Sequence, residues 1–324
     1  MSDRSSDRSA APPGSVGELG EFGLIDRFVG RLGGPGTALL GNGDDAAVLA
    51  APDGRVVVST DSLLEGRHFR RDWSTAQDVG HKAAAQAIAD IVAMGARPTG
   101  VLVALGLPAS LPADWTDGLA DGLREECARA GTTVVGGDVI RSELVTITLT
   151  ALGNLGGAEP VTRTGARPGD VVAVAGRLGW SAAGLLVLSR GFRSPIAVVS
   201  AHRRPDPPYE EGPRALELGA TAMCDVSDGL IQDLGHIAAG SNVGIELDSS
   251  CFTVPDKLRD VAGALGADPM TWLLEGGEDH ALVATFPATV SLPDTWRLVG
   301  KVSKGAGVAV DGTPRNAGGY DHFS

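Results

Sequence analysis

Aromatic side chains are scarce in this sequence, at 4% of 324 residues. That is too few for the stacking platforms on which single-stranded nucleic acid is held. Basic residues are also few: 27 Lys and Arg stand against 40 Asp and Glu, for a formal net charge of −13, which repels phosphate backbones. The three cysteines, Cys127, Cys224 and Cys251, are odd in number, far apart and without a C-x-x-C pair. This excludes a disulfide framework and a zinc site, and a reducing cytoplasm is the expected compartment. No stretch of 18 apolar residues is free of charge, so no membrane-spanning helix is expected. Residues 1–15 lack the apolar centre of a secretory signal and read as a disordered tail. The phosphate loop G-x-x-x-x-G-K-[ST] is missing, as is a G-x-G-x-x-G opening a helix after a strand. Gly41-Asn42-Gly43-Asp44-Asp45-Ala46 fits only a looser form of the latter and leads into a strand.

Glycine, by contrast, is plentiful, with 46 residues, which points to tight turns and to places where backbone approaches backbone or ligand. With 43% hydrophobic and 21% charged residues, the chain is globular and long enough for two domains of ordinary size or one large α/β unit. Helical periodicity places helices near Leu24–Leu32, Asp78–Gly95 and Pro112–Gly131. Strands are predicted at Ala46–Ala51 and Arg55–Leu64, joined as a hairpin by Pro52-Asp53-Gly54, and then at Gly100–Leu107, Thr132–Val135 and Leu144–Leu155. A turn-rich stretch at 155–170 divides the chain into residues 16–155 and 156–324. In the second part the pattern restarts: strands at 170–175, 222–225, 243–247, 280–286, 296–302 and 308–310, with helices at 181–190, 230–239 and 255–265. Hairpins mixed with crossovers imply mixed α/β sheets rather than fully parallel ones.

Aspartates gather at strand ends and turns: Asp44 and Asp45, Ser59-Thr60-Asp61, Asp90, Gly136-Gly137-Asp138, and Asp225 with Ser227 and Asp228. Such hard oxygen donors suit Mg²⁺, which shares its shell with substrate phosphates and water. Taken singly, each is also ordinary turn or N-cap chemistry. Asp228 or Ser227 could simply cap the following helix, and the glycines before Asp138 could serve a bulge or a close approach to a ligand. Asp90 is different, because from Ala83 to Met94 its helix is otherwise apolar except for Gln86. A carboxylate buried there needs a cation, either a metal or a Lys/Arg side chain.

The motifs GNGDDAAV, VSTDSLLEGRHF, AIADIVAMGARP, VVGGDVIRS, TRTGARPGDVVAVAG, CDVSDGLIQDLGH, LEGGEDHAL and GYDHF resemble, in content and order, those of the thiamine-monophosphate kinase family. They span residues 21–323. Several are shared with a wider superfamily that includes aminoimidazole ribonucleotide synthetase, selenophosphate synthetase and a hydrogenase-maturation carbamoyl dehydratase. The S-T-D…GRHF element and the GYDHF end favour the thiamine branch. The resemblance implies two mixed-sheet α/β domains of the aminoimidazole ribonucleotide synthetase-like type, the first pairing with its twin in a homodimer, with ATP and several Mg²⁺ between the domains. Carried over by motif, Asp45, Ser59, Thr60, Asp61, Asp90, Asp138, Asp225 and Asp228 match metal positions. Asp45, Asp90 and Asp138 would then act in catalysis through the metal. Gly137, Asp138, Arg163 and Ser227 match ATP contacts, and His68, Glu278 and Tyr320 match contacts to thiamine monophosphate. Arg141 and Asp44 flank these positions. Where the family often has an aromatic after GGED, this chain has His280, which reads as structural. The implied reaction is ATP-dependent phosphorylation of thiamine monophosphate to thiamine diphosphate, with no nucleic-acid or membrane partner.

Overall fold

The computed structural model describes residues 11–34, 36, 38–41 and 46–315. Helix α1 (Val16–Leu32) precedes a four-stranded sheet of β1 (Val57–Leu64), β2 (Arg97–Leu107), β3 (Val134–Arg141) and β4 (Thr146–Asn154). The order is β1-β4-β2-β3, with β4 antiparallel to both neighbours and β2 parallel to β3. Helices α2 (Ala76–Ala93) and α3 (Ala113–Arg129) make the crossovers. A second sheet holds β5 (Val171–Ala175), β6 (Ala222–Val226), β7 (Gly244–Leu247), β8 (Ala281–Phe286), β9 (Trp296–Ser303), β10 (Gly307–Val310) and β11 (Thr313–Arg315). Its order is β11-β10-β7-β9-β5-β8-β6, with β7 and β10 parallel and the other neighbours antiparallel. Around it lie α4 (Trp180–Ser189), α5 (Ile196–Arg203), α6 (Glu211–Glu217), α7 (Leu230–Ser241), α8 (Asp256–Leu265) and α9 (Pro269–Glu275). Both sheets are mixed, as the hairpin-and-crossover pattern requires.

Helix α2 is the axis of the molecule. It opens on a capping box, in which Thr75 Oγ1 accepts from the Asp78 amide at 3.1 Å and Asp78 Oδ2 accepts from the Thr75 amide at 3.0 Å. Its small side chains Ala83, Ala84 and Ala87, together with Ile88, are buried in one core with Ile147 and Leu149 of the first sheet. The same core contains Ala173, Met223, Leu282 and Phe286 of the second. An alanine-rich helix lets two sheets approach on opposite sides, which explains why it is buried nearly all round. The far face of the second sheet packs Val172, Val174 and Val283 against α4, α7, α8 and α9 in a separate core.

Two local expectations fail. No hairpin joins Ala46–Ala51 to β1: the 46–51 stretch makes only an isolated bridge, Leu40 with Val48. Strand β1 pairs instead with β4, Asp61 opposite Leu149. The long-range partner wins because β4 alternates buried Ile147, Leu149 and Ala151 with half-exposed residues, a pattern that completes a buried face with β1. In addition, Gly136-Gly137-Asp138 does not follow a strand but lies inside β3, opposite Leu102, Val103 and Ala104. A Cβ on Gly137 would stand 2.0 Å from the Val103 carbonyl oxygen, so close strand approach accounts for the glycine. No helix among the described residues is long and apolar enough to cross a membrane.

Candidate active site

Four elements converge beside the middle of α2. From β1, strand alternation turns Ser59 and Asp61 toward the helix, and Ser59 Oγ donates to Asp90 Oδ2 at 2.5 Å. From the end of β6 comes Asp225, which accepts from His280 Nδ1 at 3.0 Å. The turn from β6 into α7 supplies Ser227 and Asp228, and the loop before β8 supplies Glu278 and His280.

The last two segments are held together backbone to backbone. The Glu278 amide donates to the Ser227 carbonyl at 2.7 Å, and the His280 amide donates to that of Val226 at 3.1 Å. A Cβ on Gly277 would meet the Ser227 oxygen at 2.3 Å, so nothing larger than glycine fits. Glu278 and His280 themselves sit at φ of 62° and 51°, in the left-handed region that non-glycine residues seldom occupy and that often marks functional loops.

The site is strongly anionic. Burial pushes the Asp90 carboxyl up to about 6, and the charges of Asp225 and Asp61 add to this, while the Ser59 hydrogen bond and His280 oppose it. Asp233, on the first turn of α7, is raised to about 7 by burial and by Asp225 and Asp228, although its Oδ2 accepts the amides of Asp228 and Gly229 at 3.1 Å each. That capping by Asp233 frees Asp228, which touches Gln232 Nε2 at 3.3 Å, from service as the cap. No Lys or Arg is among the described contacts of Asp90.

Beyond Asp90, toward the start of α2, the polarity reverses. Lys82 Nζ lies 2.7 Å from Glu278 Oε1 and donates to the His68 carbonyl at 3.2 Å. His68 Nδ1 accepts the Leu64 amide at 3.0 Å. Burial alone would raise Glu278, but the Lys82 ammonium, foremost among the groups around it, holds it down to about 2.

Ser59, Asp61, Asp90, Asp225, Ser227, Asp228, His68 and Glu278 therefore surround one region. Thr60 points to the other face of the first sheet, where its Oγ1 donates to the Leu149 carbonyl at 3.1 Å. Asp138, opposite Ala104 and through it opposite Thr148 and Ser62, shares that outer face and is exposed. Arg163 is exposed in the loop before β5, with its carbonyl accepting from Ser241 Oγ at 3.1 Å. Asp44, Asp45 and Tyr320 lie outside the described residues. Sequence reasoning missed Lys82, His202 and Asp233. The clearest signal was Lys82, a cation immediately before the apolar run that made Asp90 conspicuous.

Among the described residues, no three His, Cys, Asp or Glu side chains converge closely enough to hold an ion by themselves. The donor set still fits Mg²⁺, which takes hard, anionic oxygen donors and completes its shell with phosphate oxygens and water.

Residues 43–155 match the family model for the N-terminal domain of AIR synthase related proteins, and residues 167–310 match that for the C-terminal domain. Thiamine-monophosphate kinase of Mycobacterium tuberculosis (strain ATCC 25618 / H37Rv) is 50% identical over 297 residues, 91% of this chain and 89% of that protein. The Escherichia coli (strain K12) thiamine-monophosphate kinase is 34% identical over 326 residues, 94% and 98% of the two chains. Among solved structures, AaThiL complexed with AMPPCP and TMP superposes with a TM-score of 0.79 at 34% identity, covering 94% of this chain and 98% of that one. The enzyme of Stenotrophomonas maltophilia K279a also gives 0.79 at 34%, covering 90% and 96%. The hydrogenase maturation protein HypE in complex with ATP shares the fold at a TM-score of 0.72 and 20% identity, over 93% and 94%. With relatives this similar over nearly its whole length, the chain belongs to the thiamine-monophosphate kinase family.

Proposed function

We propose that this chain transfers the γ-phosphoryl group of ATP directly to the phosphate of thiamine monophosphate, giving thiamine diphosphate and ADP. The observation that carries this reading is the placing of Asp61, Asp90 and Asp225, from β1, α2 and β6, near enough to feel one another's charge, with Ser59 2.5 Å from Asp90 and His280 3.0 Å from Asp225. Carboxylates assembled at that electrostatic cost are suited to divalent cations. The relatives' activity, and the AaThiL complex with AMPPCP and TMP, support the identity of the two substrates.

The acceptor phosphate is largely ionised at pH 7, its second pKa being about 6. It therefore attacks without a general base, and the residues around it have only to position it and to tolerate charge. Asp61, Asp90, Asp225 and Asp228, with Asp45, would hold Mg²⁺, which when bound neutralises phosphate charge and orients the γ-phosphoryl group. Ser59 fixes the Asp90 carboxylate by donating to it, and His280 fixes that of Asp225. Ser227 and Arg163 would contact the nucleotide, and His68 and Glu278, with Tyr320 by its motif, the acceptor. A cytoplasmic location fits this role.

Thr60 and Asp138 belong to the outer face of the first sheet. That face exposes Val58 and Ile140 (each 61% accessible), so pairing of two copies through it would bury apolar surface next to these residues. Steady-state release of ADP, measured with and without thiamine monophosphate, tests the function. ADP release that does not depend on the acceptor refutes it.

A further inference from the structure

Lys82 has 3% of its side-chain surface accessible, whereas its partner Glu278 keeps 34%. The carboxylate thus stays partly accessible while it is anchored to a sealed ammonium. The same Nζ, 2.7 Å from Glu278 Oε1, also donates at 3.2 Å to the carbonyl of His68. These two contacts join the loop after β1 to the loop before β8, segments far apart in sequence, through one helix residue.

We infer that Lys82 is a positioning residue for the acceptor, its buried ammonium tying Glu278 to the loop of His68 so that the groups gripping thiamine monophosphate form one unit. This inference rests on the phosphotransfer reading above. An anionic Glu278 is the form that would attract the cationic thiazolium ring or the pyrimidine amine of the acceptor.

The surroundings leave that role to Lys82. His202, from α5, lies with Nδ1 3.5 Å from Glu278 Oε2 and 3.0 Å from Ser181 Oγ of α4. Burial and the Lys82 charge hold it down to about 3, so it is neutral at working pH and adds no full charge. Arg203, the next residue of α5, adds to that lowering. On Glu278's own loop, His280 gives its Nδ1–H to Asp225 of β6. The adjacent Asp279 accepts the Ser181 amide at 2.9 Å. Lys82 and Asp90 are eight residues apart, roughly 12 Å along the helix. Loss of the lysine should therefore disturb the acceptor end and spare the nucleotide end.

The test is a double-mutant cycle of Lys82→Met, Glu278→Gln and the two combined, with KM for each substrate measured from pH 6 to 8.5 and thermal melting alongside. Lys82→Met is expected to raise KM for thiamine monophosphate by about tenfold or more, leaving KM for ATP within about twofold. Relative to wild type, whose KM changes only as the acceptor phosphate ionises near pH 6, the defect should deepen as pH falls, because a half-buried carboxylate that has lost its cation takes up a proton more readily. The double variant should be no worse than Glu278→Gln alone. An unchanged KM for thiamine monophosphate in Lys82→Met overturns the inference. So does a double variant whose loss is the product of the two single losses, since Lys82 would then be touching the acceptor itself. If Lys82→Met does not melt cooperatively, the double variant, relieved of the unpaired carboxylate, decides: wild-type KM for the acceptor overturns the inference, and a loss equal to that of Glu278→Gln supports it. A wild-type chain that releases no ADP in response to thiamine monophosphate defeats the phosphotransfer reading instead, before any variant is compared.

Discussion

Asp90→Asn separates a metal-binding carboxylate from an ordinary buried ion pair. In the metal-free fold the Asp90 carboxyl is raised from 3.8 to about 6, so keeping it ionised at pH 8 costs on the order of 2–3 kcal/mol. The sign follows from linkage: a carboxyl with a folded pKa above its unfolded one stabilises below about pH 4 and loses that contribution as pH rises through 6. Asparagine has nearly the same shape and its carbonyl can still accept from Ser59. The variant should therefore melt several degrees higher than wild type at pH 8 in a chelator, at roughly 2–4 °C per kcal/mol, and the gap should close toward pH 4.5. Asp233, raised to about 7, gives both proteins a similar fall in stability across neutral pH and cancels in the comparison. With saturating Mg²⁺, turnover by the variant should be lost by a factor of about 10³ or more, and the Mg²⁺-induced rise in melting temperature should shrink. A variant less stable than wild type at pH 8 without metal would show that Asp90 answers a cationic side chain. Near-wild-type turnover would remove it from the metal site.

Other perturbations probe the scaffold, the chemistry and the outer sheet face. Tyr209 donates to the buried Glu126 at 2.5 Å, beside the contacts that Arg129 and His81 make to the same carboxylate. Tyr209→Phe should lower unfolding free energy by about 1–2 kcal/mol in urea titrations without changing KM for either substrate. Gly277→Ala puts a methyl group where the Ser227 carbonyl stands and should cut turnover at least about a hundredfold, with secondary structure by circular dichroism unchanged. Direct transfer predicts inversion at phosphorus, read with chiral isotopically labelled thiophosphate ATP; retention, or phosphate left on the protein by ATP alone, would mean a phosphoenzyme. Ile140→Asp should shift the mass in solution from dimer to monomer by light scattering if the outer face of the first sheet pairs two copies.

The sequence by itself settled a good deal. Helical and strand periodicity located most elements, because apolar spacing is a local property. The isolation of Asp90 in a run of small apolar residues marked a charge needing a partner, and the ordered motifs named the family. What periodicity could not supply was pairing. The 46–51 stretch and β1 look like a hairpin locally, yet β1 lies against β4, Asp61 opposite Leu149, since only the assembled sheet shows which partner completes a buried face. The meaning of individual glycines was equally non-local: Gly137 is required by the Val103 carbonyl and Gly277 by that of Ser227.

The tertiary structure alone decided which charges meet. It showed that Asp90's described neighbours are the Ser59 hydroxyl, like-charged carboxylates and His280, not a lysine or arginine. It set Thr60 and Asp138 on the opposite sheet face from Asp61. It turned Lys82, which reads as one more helix residue, into the link between His68 and Glu278. Charge interactions depend on distance and burial, and in a folded chain both are fixed by contacts between segments that the linear order keeps apart.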